Sequence, residues 1–450
     1  MAGKKKFSLL SMLGTVICVV LVCEAAAPVA AIGNSQFFWW ILLTFIFLLP
    51  YGLIASELGT AYPSEGGIYD WVKQSFGRRM AAGVAWYYWI NYPIWMASLA
   101  IIAPVLVQYM FGIELPFIVT MVIELAFIWV VTFVSMSPVS ESAWVLNVSA
   151  IVKIVISLGL GVMGIVCCIQ NGFANDMSPA SFLPSGGIEG LANLPVVLFN
   201  FLGFEIVCTF VNDMENPKKQ IPQAIIAGGL LIAAIYMFSS FGIGVAIPVD
   251  QISASSGIVD AVVAMTGSSR NALVIISAGL FFIAIVGNMV SGAMGVNNVV
   301  AYAAEDGSMP KVYAQRNKKG VPMSCAIINA VVGSAIVIIA PFIPNQDMFW
   351  AFFKLNLFAF LVSYLPMFPA FLKLRKEDPD TPRPYRVPGG DLALKVMAWL
   401  PFVQILICIF FTVVPLGFDP ESLSQTLPIT IGAVLIVIIN EVYLRVAKVK

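Results

Sequence analysis

Glu24, Glu205 and Glu124 each stand inside a long apolar run, in "VLVCEAAAP", "FNFLGFEIV" and "VIELAF". A charged group at the centre of a membrane helix costs about 2.5–3.5 kcal/mol on insertion scales, so such residues usually face a cavity or a partner. A carboxylate placed there can hold a cation, exchange a proton, or stay neutral and hydrogen-bonded within the fold. Lys153 adds an ammonium in "SAIVKIVISLG", about a third of the way into its run. Histidine is absent, so proton handling near neutral pH falls to carboxylates, Lys or Tyr. The cysteines (18, 23, 167, 168, 208, 325 and 408) have no metal-ligand spacing and read as small buried hydrophobes. No metal or cofactor is expected.

Glu24 and Glu205 have local sequences that resemble each other. Each acid sits mid-run beside a residue that weakens a helix: Pro28 removes a backbone donor and Gly203 adds freedom. Interrupted spans at corresponding places in two halves of a chain point to an inverted-repeat transporter. There, broken helices offer free N–H and C=O groups to a site near the bilayer midplane. Glu124 has no second signal nearby and reads as a protonated glutamate bonded to a neighbouring helix.

The elements that must position these groups are membrane helices. The chain has 450 residues, of which 60% are hydrophobic and only 11% charged, against roughly 25% charged in soluble domains. Continuous apolar runs, not alternating ones, call for an all-α membrane protein. The spans read as 8–32, 37–59, 81–110, 116–136, 143–170, 190–211, 222–247, 270–304, 323–343, 348–374, 392–416 and 426–446. The basic start "MAGKKKFSLLSMLG" lacks a convincing cleavage site, so the first run is read as a retained span. With the N-terminus inside, 21 of the 24 Lys and Arg residues fall on one side. Arg270 lies opposite, while Lys153 and Lys354 are within spans. Both termini are therefore expected in the cytoplasm, with the protein in the plasma membrane. Net charge is zero, with no basic surface for nucleic acid. The connections are short, and "KLRKEDPDTPRPYRVPGG" reads as a linker, so residues 1–450 form one membrane domain. Its halves are expected at 8–170 and 190–374, with two accessory helices over 392–446.

Four stretches carry a family resemblance. "ELGTAYPSEGGIYDWVKQSFG" (57–77) resembles the segment after span 2 in the amino acid–polyamine–organocation superfamily. "FLGFEIVCTFVNDMENPKKQIPQA" (201–224) resembles its span 6 signature, and "AYAAEDGSMP" and "KKGVPMS" resemble the end of span 8 and start of span 9. The resemblance covers most of the first ten spans. It implies a LeuT-like fold of five plus five helices in inverted repeat, two added helices, and alternating access. The likeness is strongest to the glutamate/4-aminobutyrate antiporter family and to amine and polyamine carriers, which carry an acid in span 1 as in "LVCEAAAP". Most amino acid permeases instead have Gly-Ser-Gly there, freeing N–H donors for a substrate carboxylate; this chain reads Leu21-Val22-Cys23.

Two buried acids favour a doubly cationic guest over a zwitterion, which brings its own carboxylate. The expected substrates are amino acids or their decarboxylated amines, of the agmatine or putrescine kind, moved by an antiporter. The alternatives are a glutamate/4-aminobutyrate-type or proton-coupled amino acid permease, or a nutrient sensor on a transporter fold. By resemblance, Lys153 stands where sodium-driven relatives bind sodium, between spans 1 and 8, so sodium coupling is not expected. Glu205 corresponds to an acid linked to proton or conformational coupling. The resemblance also places Val22, Cys23, Asn91, Tyr92, Met96, Phe199, Asn200, Gly203, Asn288 and Gly292 around the substrate. Lys354 and Asn356, at depth in span 10, receive no role. The short tail after span 12 carries no plug of the kind that acid-gates some exchangers, so such gating is not expected. A channel would need a ring of pore-lining groups, and an enzyme a nucleophile, metal cluster or cofactor motif.

Overall fold

The computed structural model describes residues 9–137, 139–343, 347–417 and 419–449. Lys4, Lys5, Lys6 and Lys450 of the charge count lie outside them. Among the described residues, eleven helices are long and apolar enough to cross a membrane. The remaining crossing, span 1, is not one helix. Leu9–Val20 and Ala26–Ala30 flank a bend that contains a tight turn at Cys23–Ala25.

Span 2 is Ser35–Ala61, span 3 Arg78–Phe111, span 4 Phe117–Ser135 and span 5 Val139–Asn171. Span 6 is also broken: a short helix over Leu194–Phe199 gives way to tighter winding over Phe204–Asp213. Span 7 is Pro217–Ala246, span 8 Ala272–Glu305 and span 9 Met323–Ile339. Span 10 runs over Met348–Tyr364 and continues as Met367–Glu377; span 11 is Asp391–Val413 and span 12 Pro420–Val446. The twelve expected spans are therefore all present, with ends shifted by a few residues.

Two helices that do not cross were not anticipated. Ile68–Phe76 buries Ile68, Tyr69, Trp71 and Val72 on one face, a face too short to stand out against the neighbouring spans. Gly257–Thr266 is apolar, but its 10 residues fall short of the roughly 20 needed to span hydrocarbon. It packs between spans 5, 7 and 8 and the second half of span 1.

Span 3 packs along spans 8 and 10, and span 5 along spans 7 and 8. The contact of spans 5 and 7 depends on small residues. A Cβ added at Gly242 would stand 2.2 Å from the Leu160 carbonyl oxygen, so the two backbones meet only because no side chain intervenes.

The Lys- and Arg-rich end of the bundle is tied by buried charge. Glu57, at the end of span 2, is 1% exposed. It accepts from Arg375 Nε at 2.8 Å and Nη2 at 2.5 Å, and from the Val387 N–H at 2.6 Å. Arg383 Nε is 3.2 Å from the same carboxylate. The linker between spans 10 and 11 is thereby strapped to span 2. Nearby, Asp306 at the foot of span 8 accepts from Lys73 at 2.7 Å and from Tyr69. Burial alone would raise the Asp306 pKa, but these donors and Arg78 bring it below the ordinary carboxylate value.

Candidate substrate site

The helical ladder of span 1 stops where the Leu21 N–H reaches the Ile17 carbonyl at 3.1 Å. Val22 then leaves helical geometry, with φ −103° and ψ 89°. Pro28 lacks the N–H that would otherwise bond the Glu24 carbonyl, so the ladder cannot simply resume. Tyr236 of span 7, stacked on Trp40 at 5.1 Å, closes the gap. Its hydroxyl accepts from the Val22 N–H at 2.6 Å and donates to the Val22 carbonyl at 3.0 Å. In span 6 the break turns on Gly203, whose φ of +97° is open to glycine and rarely to other residues. The Gly203 N–H donates to the Tyr364 hydroxyl at 3.0 Å. Each break thus has its backbone satisfied by a tyrosine from a distant helix.

Glu24 is 1% exposed. Its Oε1 accepts from Asn288 Nδ2 at 2.7 Å, and Asn288 Oδ1 accepts from Lys153 Nζ at 2.7 Å. Lys153 also donates to the Cys18 carbonyl at 2.5 Å. Carboxylate, amide and ammonium therefore form a relay across spans 1, 8 and 5. The amide can face only one way in it, NH₂ toward the anion and oxygen toward the cation. Glu24 Oε2 has no hydrogen-bond partner among the described residues, and the Trp95 indole stands beside the same carboxyl.

Glu205 is held differently. Tyr51 donates to its Oε2 at 2.5 Å and Tyr88 to its Oε1 at 2.9 Å, with the Tyr364 hydroxyl beside the same carboxyl. Hydroxyl donors of this kind stabilise the ionised form. The two acids thus do not share one guest as an unpaired couple. Each has its own cage, because a buried carboxylate without partners would carry too large a desolvation cost.

Between the breaks lies a small cavity of about 40 Å³. Val22 and Gly203 bring the broken backbones to its wall, and Trp95, Phe199 and Phe360 make that wall aromatic. Tyr88, the Glu205 donor, lines it too. Among the described residues, both amide atoms of Asn356 and the indole N–H of Trp95 have no hydrogen-bond partner. No Lys or Arg is among the lining residues.

The sequence has counterparts among known proteins. The sequence profile described as amino acid permease matches residues 7–439. The chain belongs to the amino acid permease family. It is 53% identical to a probable agmatine/putrescine antiporter of Lactococcus lactis, over 98% of this chain and 95% of that protein. It is 22% identical to a glutamate/gamma-aminobutyrate antiporter of the same species, over 94% and 86% of the two chains. A probable polyamine transporter of Arabidopsis thaliana is 24% identical over 86% of this chain and 73% of its own length. The twelve-span fold is thus a permease fold, and the protein is a membrane transporter and not an enzyme.

Of the permease residues expected around the substrate, Val22, Asn91, Phe199, Gly203 and Gly292 line the cavity. A Cβ at Gly292 would come within 3.1 Å of the Trp95 ring, so glycine here sets how far the indole can lie back. Others point elsewhere. The Cys23 thiol lies against the Lys153 carbonyl and Ser157, 3.7 and 3.8 Å away. Tyr92 donates to the Met289 carbonyl at 2.8 Å, and Asn200 to the Val196 carbonyl at 2.9 Å. The Met96 methyl packs against span 9, close enough that a Cβ on Gly333 would be 2.9 Å away. Glu24, Glu205 and Asn288 are buried behind the cavity wall and do not line it, and neither does Glu124, buried on span 4.

Sequence reasoning missed Trp95, Tyr51, Tyr88, Tyr236 and Tyr364. Tyr88→Phe removes one hydrogen bond to a buried carboxylate, a loss of about 1.5–3 kcal/mol in chemical unfolding. In a double-mutant cycle with Glu205→Gln the loss should shrink, since an amide oxygen is a weaker acceptor than a carboxylate.

Proposed function

We propose that this permease is an antiporter of cationic, decarboxylated amines such as agmatine and putrescine, with Glu24 as the amine anchor. The observation that carries this is the buried Glu24 carboxylate, one oxygen without a hydrogen-bond partner among the described residues, beside Trp95 and two residues from Val22, both of which line the aromatic-walled cavity. An ammonium about 4 Å from a carboxylate gains roughly 4 kcal/mol at an effective dielectric of 20, before its own desolvation. Aromatic faces add cation–π attraction to the remainder of the guest. The resemblance to a probable agmatine/putrescine antiporter supports the same reading.

The backbone argues against a substrate carboxylate. The Val22 N–H is already taken by Tyr236 and the Gly203 N–H by Tyr364. A zwitterion would have to displace a tyrosine hydroxyl at each break, whereas a decarboxylated amine asks nothing of these donors. Agmatine and putrescine should therefore raise the melting temperature of purified protein, with about 2.7 kcal/mol of stabilisation at one hundred times Kd. Glutamate and 4-aminobutyrate should not. A shift with the amino acids alone would reject the amine assignment.

Lys153 supports exchange without sodium. Its ammonium occupies the space between the Cys18 carbonyl and Asn288 that a bound cation would need. Loss of its charge would leave Glu24 uncompensated, so Lys153→Gln should cut exchange at least tenfold and leave it unresponsive to sodium. Stimulation of the wild type by sodium would contradict this role. In this reading spans 1–5 and 6–10 are inverted repeats, over 8–170 and 190–374, with 392–446 accessory. The charge asymmetry supports a cytoplasmic position for both termini.

A further inference from the structure

Lys354 is the one charged side chain on the upper half of span 10, and the amine pathway does not use it. Span 10 presents two faces. Asn356 and Phe360 turn to the central cavity, while Lys354 turns to a second one of about 290 Å³, bounded by spans 6, 10, 11 and 12. The contact of Phe199 with Phe353, ring centroids 5.0 Å apart, stands between the two.

The second cavity is built of two kinds of surface. Lys354, Asn193, Gln425 and Thr426 supply donors, and none of their side chains has a hydrogen-bond or ion-pair partner among the described residues. Trp350 and Phe411 belong to the apolar part of the wall. The Lys354 ammonium lies 5.3 Å from the centre of the Trp350 ring, its only attraction among the described residues. No described Asp or Glu side chain lines the cavity. Asp347 and Asp419 nearby are occupied as helix caps. Asp347 accepts from the Trp350 N–H at 3.0 Å, and Asp419 from the Ser422 N–H and hydroxyl at 2.9 and 2.6 Å. A half-buried ammonium with neutral donors around it and no counter-charge among the described residues is an incomplete ion pair, and its missing member is an anion.

We propose that this cavity binds an acidic phospholipid, its phosphodiester on Lys354 and the neighbouring amides and hydroxyl, its glycerol and upper acyl carbons against the aromatic wall. Lys354 is six residues into span 10 from Met348, about 9 Å of helix rise below its end, and the cavity runs from it to Leu416, Gly417 and Ser422 at the ends of spans 11 and 12, so the long lysine stem can reach up toward a lipid phosphate. The same ammonium would repel the cationic substrate, which separates this site from the transport path. The proposal does not depend on the identity of that substrate.

The test uses the full chain in detergent, exposed to phosphatidylglycerol and phosphatidylcholine of identical acyl chains, with bound lipid counted by native mass spectrometry. Wild type and Lys354→Arg should each retain one phosphatidylglycerol that outlasts the others on collisional activation. Lys354→Gln should lose that retention about fivefold, the factor typical of one basic residue at an anionic surface. Phosphatidylcholine retention should not change. Should Lys354→Gln fail to fold, Gln425→Ala combined with Thr426→Ala should lower the same retention about twofold. Equal retention in wild type and variant, or no preference for the acidic lipid, would overturn the proposal. Displacement of the lipid by millimolar inorganic phosphate would overturn the lipid assignment in favour of a soluble anion.

Discussion

Replacing Glu24 by Gln is expected to reduce agmatine uptake by proteoliposomes at least about a hundredfold, with the protein still monodisperse in detergent. The amide keeps the shape of the side chain, and its oxygen can still accept from Asn288, so the relay to Lys153 loses charge and not geometry. What disappears is the attraction between carboxylate and ammonium. At roughly 4 kcal/mol for a separation near 4 Å, that term alone corresponds to about three orders of magnitude, and a hundredfold allows for relaxation. Glu24→Asp keeps the charge but withdraws it by one methylene, so it should retain part of the uptake. If Glu24→Gln transports within threefold of wild type, the amine is anchored elsewhere.

The second large effect is structural. Arg375→Ala removes the two-point partner of Glu57, a carboxylate only 1% exposed. Breaking a buried ion pair from one side costs about 3–5 kcal/mol, because the remaining charge is left without compensation. Arg383 and the Val387 N–H still reach Glu57, which puts the expected loss near 3 kcal/mol. The double variant Arg375→Met with Glu57→Leu should not recover it, because Arg383 and the Val387 N–H then lose the same carboxylate. Chemical unfolding in detergent gives both values. A loss under 1 kcal/mol for Arg375→Ala would mean that the strap between the linker and span 2 carries no weight.

The fold was legible because lipid leaves few choices. Runs of about 20 apolar residues, one-sided Lys and Arg, and two acids beside helix breakers led to twelve spans, with spans 1 and 6 interrupted where they are interrupted. Lys153 was placed between spans 1 and 8, and its ammonium does join Cys18 of the first to Asn288 of the second. What could not be read was partnership across sequence. Tyr236 closes the Val22 gap from 214 residues away, and Tyr51 reaches Glu205 from 154. A tyrosine on an apolar helix has the same local signature whether it faces a carboxylate or a lipid chain. Rotation was the other gap. Successive residues on a helix differ by about 100°, so Met96 was expected at the substrate, yet Trp95 lines the cavity and Met96 packs on span 9. The strap at Glu57 escaped for the first reason: its partner Arg375 is 318 residues away.

The most direct measurement is counterflow. Proteoliposomes are preloaded in turn with agmatine, putrescine, glutamate or 4-aminobutyrate, and labelled agmatine is offered outside without a sodium or proton gradient. Agmatine and putrescine inside should drive rapid accumulation of label, and the two amino acids should leave it at the level of empty vesicles. Accumulation driven by glutamate or 4-aminobutyrate, with the amines inert, would contradict the amine antiporter.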